Sequence, residues 1–356
     1  MGRFLAALIC LIVIGLVASL AWPEASYEPF EPDKAYAAQA ARYTVPPMPE
    51  DWTQHLWEAP DGTLLRWGET GNRHSAKATL VWVPGYTATI DMYGEHFDRL
   101  ARRGYHVMAV DLRGQGMSAR HRPDQPEKLH VASFGTYSDD LAGFLRDHAP
   151  DDRPVVPFAM SFGGHVALRM ALEHGTPIDG LFLVAPAVAP NMGENGDTTR
   201  RVANVMRALG KGQRYLPGQS NWRPVNMDLT VAGPDICASD PKRAHLKDVI
   251  YLRQPQQRVG GVTAAWGLAF MESAGWLAAP GRMSNLLIPV HMLKAETEMF
   301  VDNAAIDKAC TSLPRCESVL VPGTAHCMNQ EPDTVLERMW SELDAFVASL
   351  PAERTG

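Results

Sequence analysis

Phe158-Ala159-Met160-Ser161-Phe162-Gly163-Gly164 is the stretch on which the reading of this chain turns. It joins an apolar, β-rich run, Val155–Ala159, to a run with helical spacing, Phe162–Glu173. A serine exposed on so sharp a strand-to-helix turn needs small residues two places before it and two after it. Ala159 and Gly163 supply them, although the first of these positions is ordinarily glycine. The alternative is a glycine turn carrying an incidental serine. The strand before it and the helix after it argue against that.

A serine hydroxyl is a weak nucleophile and needs a base held by a third group. Behind a turn of this kind the order along the chain is serine, acid, histidine. The histidine should follow the last strand, and His326 does so in Val321-Pro322-Gly323-Thr324-Ala325-His326. None of the other histidines, of 12 in all, lies in a loop after a terminal strand. The acid should follow the preceding strand, Val290–Leu293, where Glu296, Glu298 and Asp302 compete. Either Glu or Asp can orient an imidazole and stabilise its cation. An oxyanion needs two backbone N–H donors. Phe162, after the serine, offers one; Tyr86, in Pro84-Gly85-Tyr86, offers the other unless that segment is an ordinary Pro-Gly turn.

Outward from this centre, strand-like and helix-like runs alternate. Thr63–Trp67, Thr79–Val83, Tyr105–Val110, Val155–Ala159 and Leu181–Val184 read as strands, and Met92–Arg103, Ser133–Arg146 and Phe162–Glu173 as helices. Such alternation predicts βαβ units and a mostly parallel sheet. It stops over residues 189–285 and resumes at Val290–Leu293, Ala304–Cys310 and Ser318–Val321. Asp333–Leu350 closes the chain as an amphipathic helix, with Val335, Leu336, Met339, Trp340, Leu343, Phe346 and Val347 on its apolar face. The expected organisation is an α/β core at 51–188 and 286–356, a helical cap inserted at 189–285, a linker or arm at 23–50, and a separate segment at 1–22.

That first segment has Arg3, then an uncharged apolar run from Phe4 to Trp22, then Pro23 and acidic residues. It is expected to be a signal peptide or an N-terminal membrane anchor. Its 19 residues are about enough to span a bilayer, while Ser19-Leu20-Ala21 is a tolerable cleavage site. Either way the catalytic body is expected outside the cytoplasm, on the periplasmic or extracellular face, with any membrane contact made through residues 4–22. In an oxidising compartment Cys310 and Cys316, six apart around Ser312-Leu313-Pro314, could form a disulfide; Cys237 and Cys327 have no obvious partner. The whole chain of 356 residues, 46% hydrophobic and 21% charged, has an ordinary globular balance. A net charge of -7 without a basic stripe excludes a nucleic-acid partner. No metal-ligand spacing is present.

Together, Pro84-Gly85-Tyr86, Gly104-Tyr105-His106-Val107, Asp111-Leu112-Arg113-Gly114-Gln115-Gly116-Met117-Ser118, the turn at Ser161 and Pro322-Gly323-Thr324-Ala325-His326 resemble the monoacylglycerol lipase and lysophospholipase branch of the α/β-hydrolases, often grouped with serine aminopeptidase-like hydrolases. Ala238-Ser239-Asp240-Pro241 and the helix around Ala265-Trp266-Gly267 look like that branch's cap. The resemblance covers roughly residues 52–350. It implies an eight-stranded, mostly parallel sheet flanked by helices, and a serine esterase acting on a lysophospholipid or monoacylglycerol with no metal or cofactor. It ranks Glu298 first, because the branch usually has Asp at that position, with Asp302 the runner-up and Glu296 third. The branch's usual His-Gly is Pro84-Gly85 here. Met206, Leu209, Trp266, Leu268, Phe270, Met271 and Trp276 are candidates for an acyl tunnel, or are plain cap core. An aminopeptidase or small-ester esterase of the same fold would need a cap carboxylate such as Glu272 or Asp235. A non-catalytic, membrane-tethered binding protein would keep the fold without the reaction, and acyl transfer to an acceptor other than water would use the same residues.

Overall fold

Short runs of β-branched and apolar residues with no polar alternation suit strands covered on both faces. Four of them, β3 (Thr79–Val83), β4 (His106–Val110), β5 (Val155–Met160) and β6 (Leu181–Val184), are buried along their whole length. The computed structural model describes residues 24–352 except 176, 192, 194, 195 and 234–236. Its sheet adds β1 (Thr53–Glu58), β2 (Leu64–Thr70), β7 (Val290–Thr297) and β8 (Cys316–Ala325), in the order β1-β2-β4-β3-β5-β6-β7-β8. β1 pairs β2 and β2 pairs β4 antiparallel; all other pairs are parallel. The chain crosses from β4 back over β3 to β5, so the strand order reverses beside β3. In open α/β sheets the crevice beyond the carboxyl ends of the strands at such a reversal is where ligands bind. Pro84 and Ser161 follow the ends of β3 and β5, at that crevice.

Side chains alternate between the two faces of the central strands. Val81, Val83, Met108 and Val110 join one apolar cluster with Tyr137 and Leu141 of α3 (Gly135–His148) and Val166 and Met170 of α4 (Phe162–His174). Leu80, Trp82, Val107, Phe158 and Phe182 join the other, with Phe97 and Leu100 of α2 (Gly94–Arg102) and Trp340 and Leu343 of α9 (Asp333–Ala348). Full burial of a side chain of this kind stabilises by roughly 1.5–3 kcal/mol.

The core strands and helices lie where the sequence pattern puts them. β1 was not expected, and the reason is its edge position: of its six residues only Trp57 is buried, so no alternation marks it. Residues 23–50 differ from a bare linker. They contain α1 (Lys34–Arg42), capped by Asp33, whose carboxylate accepts from Tyr36 N at 2.8 Å. Tyr36 and Ala40 pack on Leu229 and Val249, so the arm is docked against the insertion. Between β6 and β7 lie α5 (Gly196–Ala208), α6 (Leu246–Arg253) and α7 (Ala264–Leu277); α8 (Asn303–Ser312) follows β7. The expected signal or anchor at 1–22 falls outside the described residues, and among those described no helix is long and apolar enough to cross a membrane.

Candidate active site

Ser161 occupies a backbone conformation that side chains rarely adopt, φ 48° and ψ −117°. Its N–H donates to Val184 O at 2.9 Å, and its carbonyl accepts from Ala187 N at 2.9 Å, so β6 and the loop after it hold the turn in place. A Cβ on Gly163 would lie 2.5 Å from both Val83 O and Pro84 O, which explains the absence of a side chain there. Ala159 is fully buried within β5, so a methyl group is accommodated where glycine is usual. Gly85 comes so close that a Cβ on it would lie 3.4 Å from Ser161 Cβ.

His326 emerges from the end of β8 and reaches Ser161. Its Nε2 lies 2.9 Å from Ser161 Oγ, and its Nδ1 lies 2.7 Å from Glu298 Oε2. Both side chains are largely buried, at 9% and 4% exposure, which removes most solvent screening from the pair. Glu298 Oε1 accepts from Phe300 N at 2.8 Å and Val301 N at 3.2 Å. Burial pushes the Glu298 carboxyl up. The hydrogen bond and charge of His326, with the two backbone donors, outweigh burial and hold it below its ordinary value. The rival carboxylates are employed elsewhere. Asp302 caps α8 through Ala304 N at 2.8 Å, and Glu296 accepts from Gly323 N at 2.9 Å.

The loop after β3 is fixed by groups that sequence reasoning did not single out. Gln115 Nε2 donates to Gly85 O at 3.2 Å, and Gln115 Oε1 accepts from Thr87 N at 2.6 Å. Tyr251 Oη donates to Thr87 O at 2.6 Å. The Tyr86 peptide is thus held from both sides, next to Thr87 at φ 62°. Gln115 sits in the quoted Asp111–Ser118 motif, whose Asp111 accepts from Arg66 Nε at 2.6 Å and from Ile90 N at 2.9 Å. That placement was the signal available in the sequence.

His326 is secured by two further links. Glu331 is completely buried and accepts from Ala325 N at 2.8 Å and Ser239 N at 3.0 Å. Cys327 forms a disulfide with Cys237, with 5.2 Å between Cα atoms, and its N–H donates to Cys237 O at 3.0 Å. Cys237 and Cys327, for which the sequence offers no obvious partner, thus pair with each other; their separation of 90 residues hides the pairing from sequence. Cys310 and Cys316 form the second disulfide, also with 5.2 Å between Cα atoms. Among the described residues the non-glycine residues at positive φ are Thr87, Ser161, Ala185 and Cys237. Each costs about 1–3 kcal/mol, and strain of this kind clusters at functional sites. Here every one adjoins the serine turn, the loop after β3 or the histidine loop.

The acyl-tunnel candidates separate. The Trp266 ring lies 4.8 Å from that of Tyr86 and 5.4 Å from that of Phe162, the residues after Gly85 and Ser161, while Phe270 stacks on Phe134 of the core at 5.3 Å. Met206, Leu268 and Met271 pack on one another inside the insertion. Leu209 is exposed, and Trp276 is covered by Arg169 and Arg282. Glu272, the carboxylate a peptidase would need, pairs with Arg207 at 2.7 Å on the outside of the insertion; Asp235 falls outside the described residues. No cluster of potential metal ligands occurs among the described residues.

A family model described as serine aminopeptidase, S33 matches residues 74–333. The lysophospholipase L2 of Escherichia coli (strain K12) is 27% identical over 277 residues, 76% of this chain and 78% of that protein. A probable 1-acylglycerol-3-phosphate O-acyltransferase of Oryza sativa subsp. japonica is 29% identical over 233 residues, 57% of this chain and 54% of that protein. Among solved structures, a soluble variant of monoglyceride lipase from Saccharomyces cerevisiae aligns with TM-score 0.65 at 17% identity, covering 86% of this chain and 98% of that one. The chain belongs to the serine aminopeptidase S33 family and has the α/β-hydrolase fold.

Proposed function

From membership of that family we propose that this carboxylic ester hydrolase cleaves lipids bearing a single acyl chain, lysophospholipid or monoacylglycerol, through an acyl-enzyme on Ser161. One observation carries the reading: the unbroken line from Glu298 through His326 to Ser161, at 2.7 and 2.9 Å, ending on a strained turn at the crevice. The names of the Escherichia coli relative and the yeast structure support the substrate class.

In the proposed reaction His326 Nε2 takes the proton from Ser161 Oγ as the oxygen attacks the ester carbonyl carbon. His326 Nδ1–H donates to Glu298, which stabilises the imidazolium without taking its proton. The N–H groups of Phe162 and Tyr86 hold the oxyanion; losing one such donor typically costs about 10²–10³ in turnover. The ester C–O bond breaks, and His326 protonates the departing alcohol. Water, deprotonated by His326, then attacks the acyl-enzyme and releases the fatty acid. A lipid acceptor entering in place of water would give acyl transfer from the same intermediate. The two disulfides support a catalytic body placed on an oxidising side of a membrane.

The test is fatty-acid release from lysophospholipid and from monoacylglycerol, with Ser161→Ala as the blank. Release that disappears in the variant is expected. Absence of release from a folded wild type on both lipids overturns the substrate assignment, and the same assay with short esters and peptides then decides among the remaining hydrolases.

A further inference from the structure

A buried chain of polar side chains joins the serine turn to the insertion, and the triad does not use it. His165 stands in the first turn of α4 and Ser273 belongs to α7; they are 0% and 1% exposed. His165 Nδ1 lies 2.8 Å from Ala187 O, and its Nε2 lies 2.7 Å from Ser273 Oγ. Arg169, one turn further along α4, donates from Nη1 to Ser273 Oγ at 2.7 Å. Its Nε and Nη2 donate to the two oxygens of Glu173 at 3.0 and 2.7 Å. Phe134 and Phe270 meet the His165 ring edge-on at 5.3 and 5.2 Å.

The two ends fix the direction of every bond. A carbonyl oxygen only accepts, so Nδ1 carries the proton and donates to Ala187 O. Burial pushes the His165 pKa down to about 4, against the pull of that hydrogen bond, so the ring is neutral near pH 7 and Nε2 is an acceptor. A guanidinium only donates, so Ser273 Oγ accepts from Arg169 and spends its own proton on Nε2. Losing one link leaves its buried neighbours unpaired, which is expensive. A serine and a histidine in contact resemble half of a second triad, but Ser273 is buried and its oxygen is occupied by Arg169, so no ester carbonyl reaches it.

What the chain grips is Ala187. Its carbonyl accepts from His165, and its N–H donates to Ser161 O at 2.9 Å. The first turn of α4 presses on the same loop, since a Cβ on Gly164 would lie 2.9 Å from Pro186 Cβ. Ala185 in that loop has φ 43°, and Ser161 has φ 48°. Residues in such sparsely populated conformations persist only where the surroundings over-determine them. We propose that His165 is a positioning residue for Ser161. It anchors the Ala187 loop beside the serine turn, and Ser273 locks its ring from the insertion. The role rests on Ser161 being the nucleophile.

Two amides divide the contacts of the ring. In His165→Asn the amide nitrogen falls near the place of Nδ1 and donates to Ala187 O, but nothing reaches Ser273. In His165→Gln the amide falls near the place of Nε2, and Ala187 O loses its donor. Both variants should melt at lower temperature than wild type. Kinetics on p-nitrophenyl butyrate, at a temperature where both are folded, should separate them. For His165→Gln kcat is expected to fall by up to about 10²-fold with KM nearly constant, the cost of a displaced nucleophile. His165→Asn should retain most of the wild-type kcat. Labelling of Ser161 by a fluorophosphonate should slow in the same order. Equal kcat and equal labelling rates in the two variants overturn the proposal, because a merely structural role lowers both alike. Should His165→Gln fail to fold, nitrogen NMR of wild type carrying labelled histidine decides. His165 is expected with Nδ1 protonated and Nε2 bare near pH 7, and the opposite tautomer or a protonated ring overturns the proposal. A folded wild type that the fluorophosphonate leaves unlabelled at Ser161 removes the nucleophile reading and this role with it. A labelled wild type with indistinguishable variants removes this role alone.

Discussion

Glu298 is the residue at which the site departs most from its resemblance, since a longer side chain stands where aspartate is usual. Its extra methylene matters because one oxygen must reach His326 while the other accepts from Phe300 and Val301. Glu298→Gln keeps the shape but not the charge, and favours the wrong imidazole tautomer; kcat should fall roughly 10⁴-fold with KM little changed. The same carboxyl carries a pH signature. Its folded pKa lies below the ordinary 4.5, so the folded state binds fewer protons than the unfolded one. The resulting stability is complete above the unfolded value and is lost as pH falls through the lower folded value. Thermal melting of wild type should therefore drop more steeply than that of Glu298→Gln between about pH 5 and 3. Gln115 makes a different prediction. Gln115→Leu releases Gly85 O and Thr87 N, and an oxyanion donor displaced by about 1 Å costs up to about 10²-fold. Steady-state kinetics should show that loss in kcat, with KM nearly constant.

At the level of elements, the two disulfides form a controlled comparison. Cys237–Cys327 ties the insertion to the residue after His326, whereas Cys310–Cys316 sits at the far end of β8, roughly 30 Å away at about 3.3 Å per residue. In the chain-entropy view, closing loops of 90 and 6 residues stabilises by roughly 4–5 and 2 kcal/mol. Cys237→Ser with Cys327→Ser should lower the melting temperature more than Cys310→Ser with Cys316→Ser. Only the first pair should also reduce kcat, by about tenfold if the histidine loop loosens. Equal effects of both pairs on kcat would show that Glu331 alone holds the loop.

At the level of the whole molecule, the strands and helices of the core were legible because burial on two faces leaves unbroken apolar runs, as in Thr79–Val83 and Leu181–Val184. β1 was not, since five of its six residues are exposed. Nor was α1, whose contacts lie about two hundred residues away. Ser161 and His326 were legible from local turn chemistry. Gln115, Glu331 and the Cys237–Cys327 pair were not, because each acts through a contact between distant segments that leaves no periodic trace. The proposed placement on an oxidising side has its own check. Alkylation of denatured, unreduced protein from its native host should label none of Cys237, Cys310, Cys316 and Cys327, and labelling of all four would argue for a reducing compartment. One further consequence follows from the 165 residues that separate Ser161 from His326. At about 5–20 residues per second, Ser161 waits roughly 8–33 s on the ribosome before His326 has been made. Even then the Ser161–His326 hydrogen bond cannot form until β8 zips onto β7 and brings the imidazole into reach. On the proposed mechanism the growing chain therefore lacks its general base throughout synthesis, as does any product terminated before His326.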